Sequence, residues 1–176
     1  MCLLLGATGV GKTLLLKRLQ NILFDLGLAS YLSEPPSTLP TVGTNLTDLT
    51  LRKRSLTIRE LGGCMGPIWP SYYTDCTTVI YMVDSANITQ ISASCVQLLN
   101  VLAAEPLQTA SVLVLFNKSD LPCTMSLVEM KSLFRMDDII ACAPQSITTL
   151  KLSARTGEGL EEVLKWLDSF SDTSQL

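Results

Sequence analysis

The sequence predicts an α/β fold in which a mostly parallel sheet is covered by helices on both faces. Runs of consecutive apolar residues at 2–6, at 77–84 and from 110 onward indicate strands that are buried on both sides. Between them, Leu and Ile recur at steps of three and four residues, as on the buried face of a helix. This alternation is typical of a parallel sheet with a helical layer on each face.

The first half of the chain holds one strand, one helix and a predicted hairpin. The strand CLLLG at 2–6 is followed by a helix over 13–27, TLLLKRLQNILFDLG. A loop rich in Pro and Ser then covers 33–43. Beyond it, two candidate strands at 44–52 and 55–61 flank the charged turn RKR, a pattern that favours a β-hairpin.

The second half alternates strands and helices. After the strand at 77–84, the pattern predicts a helix at 90–105, a strand from 110, a helix around 126–134, a short strand at 148–154 and a final helix at 159–170. At 176 residues, without a repeat or a linker, the chain suits one domain that buries about 70% of its unfolded surface. We expect a single domain over 1–170 and a polar, frayed tail at 171–176.

Composition argues against several classes of protein. No apolar run approaches the ~18 residues that span a bilayer, and the N-terminus resembles neither a secretory signal nor a transit peptide. A net charge of -3 gives no basic field for nucleic acid. The absence of histidine, and six cysteines without a CxxC pair, argue against zinc and His-based catalysis and for a reducing compartment. The sequons at Asn45 and Asn87 are then expected to be idle.

The strongest motif is GATGVGKT, Gly6–Thr13, which fits G-x-x-x-x-G-K-[ST] between a strand and a helix. Its glycines let backbone N–H groups converge on phosphate oxygens at the positive end of the helix. Lys12 is expected on the β- and γ-phosphates, and the Thr13 hydroxyl on magnesium. The same pattern also arises by chance or in a tight turn, but its position favours phosphate binding. The predicted phosphate-binding residues are Gly6, Thr8, Gly9, Val10, Gly11, Lys12 and Thr13.

A second motif, NKSD at Asn117–Asp120, points to guanine as the base. It ends an apolar strand, where a doubly wound sheet presents its ligand-binding loops. The Asp120 carboxylate can accept both the N1–H and the 2-amino group of guanine, whereas adenine offers no such donor pair. Lys118 would lie along the base, and Asn117 would tie this loop to the phosphate loop. The alternative is an ordinary Asn/Asp turn at a strand end.

A third motif, SARTG at 153–157, lies between the last short strand and the last helix. The backbone N–H of Ala154 can donate to guanine O6 and so reject the amino group of adenine. The motif is weak alone, but its position downstream of NKSD strengthens all three. Ser153, Ala154 and Arg155 therefore join the predicted guanine site.

In this order, GATGVGKT, PTVGTN, ELGG, NKSD and SAR resemble a small GTPase of the Arf-like group over nearly the whole chain. PTVG together with ELGG and WPSYY is similar to Arf rather than to Ras or Rab. The resemblance implies a P-loop NTPase fold with a six-stranded, mostly parallel sheet and five helices, and GTP or GDP with Mg²⁺ as ligands. It also implies two switch loops, in which Thr41 ligates Mg²⁺ only in the GTP state and the Gly63 N–H meets the γ-phosphate. The alternative for Thr41 is an ordinary loop threonine after Pro40.

Cys64 departs from the family, because the resemblance places a water-orienting catalytic glutamine at this position. A thiol is a weak donor and a weak acceptor, so intrinsic hydrolysis is expected to be slow. No arginine lies between Ser33 and Thr41 to act in cis, so efficient turnover would need an arginine from a partner. The alternative is a small residue tolerated in a mobile loop, with a GTPase-activating protein that also positions the water.

Further departures concern the metal, the effectors and the membrane. Glu60 replaces the Asp that holds magnesium through water in the family, which puts metal affinity in doubt. Arg59 and Thr44 replace bulky apolar residues that Arf proteins use, with a tyrosine of WPSYY, to recognise effectors. The first strand starts without an amphipathic helix, and Cys2 stands where Arf proteins have a myristoylatable glycine, so we expect no direct membrane anchor.

Three functional hypotheses remain. The first is a GTP-binding switch with slow hydrolysis, monomeric when free, that recruits effectors in membrane or ciliary traffic. It would depend on an exchange factor and a GTPase-activating protein if it cycles, and would be cytoplasmic, with recruitment to membranes or the ciliary base through partners. The second is a constitutively GTP-bound scaffold that uses the switch surface for protein binding. The third is a P-loop kinase, against which NKSD and SAR argue.

Overall fold

The computed structural model describes residues 1–24, 37–52, 54–122 and 124–170. Six strands of these residues form one sheet: β1 Cys2–Gly6, β2 Thr44–Thr50, β3 Ser55–Leu61, β4 Thr78–Asp84, β5 Ser111–Asn117 and β6 Ser146–Lys151. Their order across the sheet is β2-β3-β1-β4-β5-β6. β2 is antiparallel to β3, and the other neighbouring pairs are parallel. The predicted α/β class with a mostly parallel sheet is confirmed.

The described residues also contain five α-helices: α1 Lys12–Phe24, α2 Ile88–Ala103, α3 Leu127–Phe134, α4 Met136–Cys142 and α5 Leu160–Ser169. Two 3-10 segments lie at Gly63–Tyr72 and Glu105–Leu107. The periodicity did not predict α4, which follows α3 after a single residue, Arg135, in the left-handed conformation with φ 50°. The long 3-10 segment, with Pro67 and Pro70 inside it, was also not predicted.

Five sequence predictions lie partly or wholly outside the described residues. They are the end of the first helix and the start of the Pro/Ser-rich loop at 25–36, Lys53 in the hairpin turn, Cys123, and the tail at 171–176. The hairpin strands on either side of the turn are paired from Thr44 opposite Leu61 to Thr50 opposite Ser55.

Side chains of β1 show why the buried strands are apolar without interruption. Leu3 and Leu5 pack into one hydrophobic core with residues of α2 and α3. Cys2 and Leu4 pack into a second core with residues of α1 and α5. Successive side chains of a strand point to opposite faces, so a sheet covered on both faces buries every residue. All four residues are fully buried, and burial raises the pKa of the Cys2 thiol.

Among the residues that the structure describes, no helix combines the length and the hydrophobicity that crossing a bilayer requires.

Candidate functional site

The loop between β1 and α1 has a shape that depends on glycine at two positions. Gly6 has φ 151°, and a Cβ there would lie 2.6 Å from the Met82 carbonyl oxygen. Gly11 has φ 103°, and a Cβ there would overlap the side-chain amide of Asn117. Only glycine combines these conformations with such close approach. The loop therefore turns tightly at the carboxyl end of the parallel strands, where backbone N–H groups can cradle an anion.

Lys12, the first residue of α1, extends back over this loop. Its Nζ donates to the carbonyl oxygens of Gly6 at 2.8 Å and Ala7 at 2.9 Å. The residue is 5% exposed. Burial lowers its pKa to about 8, although Glu60 and Cys64 act in the opposite direction and raise it. A cation with so little hydration has much to gain from phosphate oxygens.

Thr13, Thr41 and Glu60 come together from α1, from the loop before β2 and from β3. The Thr13 hydroxyl donates to Glu60 Oε1 at 2.5 Å, and the Thr41 hydroxyl donates to the same oxygen at 3.1 Å. The two hydroxyl oxygens are 3.0 Å apart. Within the described ranges, no three His, Cys, Asp or Glu side chains cluster to hold a metal, so a metal here would depend on the hydroxyls. Hard oxygen ligands of this kind, completed by water, suit Mg²⁺.

Two glycines after β3 bring the second predicted switch loop against the phosphate loop. Gly63 lies so close to Thr8 that an added Cβ would overlap the Thr8 backbone. The Gly62 N–H donates to the Gly43 carbonyl at 3.0 Å, and Trp69 Nε1 donates to the Gly62 carbonyl at 3.1 Å. The two predicted switch loops therefore contact each other beside Gly6–Thr13.

Cys64 directly follows this contact, in the 3-10 segment Gly63–Tyr72. Its side chain is exposed. The thiol is thus beside the loop where the resemblance places an attacking water, but it brings only weak hydrogen-bonding ability to that place.

Asn117 ends β5 and joins two other loops of the site. Its Nδ2 donates to the Val10 carbonyl at 2.8 Å, and its Oδ1 accepts from the Ala154 N–H at 3.0 Å. The residue is 2% exposed. The first bond is the tie to the phosphate loop that the sequence predicted. The second bond is new, because Ala154 N–H was predicted to face guanine O6 and here donates to Asn117.

Lys118 has a left-handed conformation, with φ 67°, and its Nζ forms an ion pair with Asp84 at 2.7 Å. Asp84 is buried at the end of β4 and also accepts from the Ala86 N–H at 2.8 Å. This carboxylate holds the lysine side chain where two cavities adjoin, one beside the phosphate loop and one beside the NKSD loop. The sequence did not single out Asp84, because it only ends an apolar strand.

Asp120 accepts a hydrogen bond from the Ser153 hydroxyl at 2.7 Å. Ser153 Oγ in turn accepts from the Thr156 N–H at 3.1 Å. The carboxylate that was predicted to read guanine is therefore oriented by the SARTG loop, and Arg155 lies beside it in the lining of the same cavity.

Two adjoining cavities connect these loops. One of about 240 Å³ is lined by the phosphate loop, Thr41, Glu60 and Gly63. The other, of about 210 Å³, is lined by the NKSD loop and Arg155, and it shares Gly11, Leu14 and Lys118 with the first. A larger apolar cavity of about 820 Å³ lies between α2, α3 and α4. None of the predicted site residues lines it, so we place the functional site by its chemistry rather than by its size.

Sequence reasoning also missed two residues that shape the site from a distance. Trp69 fixes Gly62 through its indole N–H, as described above. Arg18 lies on the buried face of α1 and donates from Nε to the Ala154 carbonyl at 3.0 Å. A charged residue among apolar neighbours of a helix was the signal that could have drawn attention to Arg18.

The two positions predicted to alter effector recognition, Arg59 and Thr44, lie together beside the Tyr72 ring. The Arg59 guanidinium lies 5.3 Å from the centroid of the Tyr72 ring, and its Nη1 donates to the Thr44 hydroxyl at 3.4 Å. Arg59 and Thr44 are therefore charged and polar at two positions where the resemblance to Arf proteins implies bulky apolar residues.

Comparison with known proteins gives consistent matches. The model of the ADP-ribosylation factor family matches residues 1–170. ADP-ribosylation factor-like protein 16 of Homo sapiens is 63% identical over 169 residues, which cover 96% of this chain and 85% of that protein. ADP-ribosylation factor-like protein 1 of Saccharomyces cerevisiae is 34% identical over 176 residues, covering 99% of this chain and 88% of that protein.

A solved structure shares the fold. The Arl6 BBS3 small GTPase from Trypanosoma brucei, with the bound nucleotide analogue GppNp, matches with a TM-score of 0.81 over 97% of this chain and 95% of that chain. Its sequence identity is 18%, so this likeness concerns the fold alone. The family model and the identities above go further: the chain belongs to the ADP-ribosylation factor family of small GTPases, which are GTP-binding switches.

Proposed function

We propose that this protein binds GTP and GDP with Mg²⁺ at the two adjoining cavities and hydrolyses GTP slowly. The observation that carries the proposal is the convergence of loops with phosphate-binding and guanine-binding chemistry on one place. Asn117 supports it further, because one buried side chain bonds to both kinds of loop. A guanine nucleotide has a charged end and a base that such a composite site would hold together.

Each predicted residue has a role in this proposal. Asp120 accepts from the guanine N1–H and 2-amino groups, with Lys118 along the base and Asn117 as the tie between loops. The Gly63 N–H meets the γ-phosphate. The remaining nucleotide contacts come from the phosphate loop, with Gly6, Thr8, Gly9, Val10, Gly11, Lys12 and Thr13, and from the guanine loop, with Ser153 and Arg155. Ala154 of the guanine loop acts through its bond to Asn117.

Magnesium would be held by the hydroxyls of Thr13 and Thr41, with Glu60 acting through water. When bound, the ion neutralises phosphate charge. The 2.5 Å bond between Glu60 and Thr13 supports a compact site, because the Glu side chain, one methylene longer than the Asp of the family, already reaches the hydroxyl. Thr41 would make its contact only in the GTP state, so that loss of the γ-phosphate releases the loop.

Slow hydrolysis follows from the exposed thiol of Cys64 at the position of the catalytic glutamine. The alternative function is a constitutively GTP-bound scaffold that never cycles, and Cys64 is the feature that favours it. Both candidates share the nucleotide site and differ only in turnover.

Effectors are proposed to bind the switch and interswitch surface. Large apolar side chains are exposed there: Leu39 at 87%, Val42 at 90%, Leu46 at 57% and Ile68 at 46%. Apolar groups so close to the nucleotide cavities are available to a partner that senses the bound nucleotide. An exchange factor and a GTPase-activating protein would be needed for cycling.

The proposed setting is the cytoplasm, with recruitment through partners to membranes or the ciliary base in membrane or ciliary traffic. Cys2 is fully buried in β1, which argues against an acyl chain on that residue. We propose residues 1–170 as a single GTPase domain, supported by the extent of the family match, with 171–176 as a tail.

The test is the nucleotide that copurifies with the protein from cells, identified by anion-exchange chromatography with a measured ratio of nucleotide to protein. Near-stoichiometric GTP would support guanine binding with very slow turnover and would favour the scaffold. GDP would support a slow GTPase. Adenine nucleotide would overturn the role of Asp120, and protein that neither carries nor binds added GDP would overturn the proposed function.

A further inference from the structure

Arg18 is buried behind the guanine loop and binds two of its carbonyl groups. The residue is 4% exposed. Its Nε donates to the Ala154 carbonyl at 3.0 Å, and its Nη2 donates to the Arg155 carbonyl. A buried guanidinium requires such acceptors, because its unpaired burial would be costly. The helix that carries Lys12 and Thr13 is therefore bonded directly to the loop at 153–157.

These bonds determine how the peptide group between Ala154 and Arg155 is turned. In a trans peptide, the carbonyl and the N–H point in opposite directions, and the described residues contain no cis peptide bond. Because the Ala154 carbonyl points at Arg18, the Arg155 N–H points away from it. Arg155 lines the cavity that also contains Asp120 and Lys118.

The backbone N–H of Ala154, the neighbouring donor in this loop, already has a hydrogen-bond partner. Ala154 N–H donates to Asn117 Oδ1 at 3.0 Å, so it is directed at the amide that ties the loops together. The next N–H along the loop, that of Arg155, is the one turned away from Arg18.

We infer that Arg18 is a positioning residue for guanine recognition, and that it directs the Arg155 N–H towards O6 of the base. The inference rests on the proposed function, because it concerns how a bound guanine is read. Arginine suits the role since its planar fork donates to two acceptors at once, whereas the lysine ammonium is a compact point charge. Arg18 thereby connects the phosphate-binding helix to the discrimination between guanine and adenine.

The experiment compares wild type, Arg18→Lys and Arg18→Gln for binding of GDP, IDP and 6-thio-GDP in the presence of Mg²⁺, and also measures binding of ADP to wild type. IDP keeps O6 but lacks the 2-amino group, whereas 6-thio-GDP keeps the amino group and replaces O6 by sulfur, a weaker acceptor. We expect Arg18→Gln to lose on the order of tenfold in affinity for GDP and for IDP, the value of one neutral hydrogen bond from the Arg155 N–H to O6. The loss for 6-thio-GDP should be several-fold smaller, and Arg18→Lys should be intermediate.

A matched control is Lys165→Gln, which removes a positive charge from an exposed position of α5 and should leave all three affinities unchanged. A merely structural role of Arg18 would lower the three affinities by the same factor, and that result, or no loss at all, would overturn the inference. Arg18→Lys keeps the test decisive if Arg18→Gln does not fold. A wild-type protein that binds ADP as well as GDP would instead overturn the proposed function, which is a separate outcome.

Discussion

Cys64 is the residue that decides between a slow switch and a fixed scaffold. Its thiol is exposed next to Gly63, in the place of the family glutamine. We expect Cys64→Gln to raise single-turnover GTP hydrolysis roughly 10- to 100-fold, because a carboxamide both donates to and accepts from an attacking water. Release of phosphate from preloaded protein measures the rate.

The control for this change is Cys64→Ser, which keeps the size of the side chain and should stay within a factor of about three of wild type. If the glutamine variant were no faster than the serine variant, hydrolysis would be limited by something other than Cys64. The missing arginine in cis would then be the stronger limitation.

Lys12 predicts a pH dependence of nucleotide binding. Burial lowers its pKa from 10.5 to about 8 in the folded, unliganded protein. Phosphate oxygens favour the charged lysine, so binding takes up a proton above pH 8, and GDP affinity should fall about tenfold per pH unit there. Fluorescence titrations between pH 7 and pH 9.5 measure this slope.

The same lysine affects folding with the opposite sign. Between pH 8 and pH 10.5 the unfolded chain keeps the proton that folded Lys12 loses, so this residue makes folding more favourable as pH rises. Loss of affinity with unchanged or higher stability would therefore distinguish titration of Lys12 from alkaline unfolding. Lys12→Arg, which stays charged, should bind with a flatter pH profile. Equal slopes for lysine and arginine would assign the dependence to the guanine base instead.

At the scale of elements, sequence patterns located the strands more reliably than the short helices. β1 and β3 match their predicted bounds, because both are framed by a clear change from apolar to polar or glycine residues. β6 was predicted at 148–154 and lies at Ser146–Lys151. The Leu152 N–H still donates to the Phe116 carbonyl of β5, whereas Ser153 and Ala154 already bond to Asp120 and Asn117 in the site. The predicted helix at 126–134 was nearly right, and its start is set by a capping box between Ser126 and Glu129.

The helix α4 was missed for a physical reason. It has seven residues, too few for a helical period to be visible, and it is separated from α3 by Arg135 rather than by Gly or Pro. The 3-10 segment Gly63–Tyr72 was missed because Pro67 and Pro70 suggest an irregular loop. In both cases tertiary packing, which buries Met136 and Trp69, determines a local structure that the sequence pattern does not predict.

The residues of the candidate site also fall into those that the sequence could predict and those that it could not. The loops themselves could be predicted because glycine, lysine and carboxylate positions follow fixed spacings along the chain. Asp84 and Arg18 could not, since each acts on a partner that is distant in sequence: Asp84 on Lys118 and Arg18 on the Ala154 carbonyl. A spacing pattern contains no information on such pairs until the topology brings β4, β5 and α1 to one edge of the sheet.

At the scale of the whole molecule, the hydrogen bonds within the candidate site also hold several loops of the fold together. The two hydrophobic cores lie on opposite faces of the sheet, and the loops at its carboxyl edge bind to one another through Asn117. That residue bonds to Val10 and Ala154 by its side chain, and its backbone carbonyl accepts from the Ser85 N–H at 3.1 Å. Stability of the fold and affinity for the nucleotide should therefore depend on the same contacts.

We expect Asn117→Ala to lower the free energy of unfolding of the nucleotide-free protein by about 2–4 kcal/mol, because a buried carbonyl and a buried N–H each lose their partner. GDP at 100 times its wild-type Kd should add about 2.7 kcal/mol to the wild type and almost nothing to the variant. Denaturant unfolding with and without GDP measures both quantities. Asn100→Ala, on the exposed side of α2, is the control and should change neither by more than about 0.5 kcal/mol. Equal stabilisation of variant and wild type by GDP would mean that the bonds of Asn117 and the binding of the nucleotide are independent. A ligand adds stability only through the contacts that hold it.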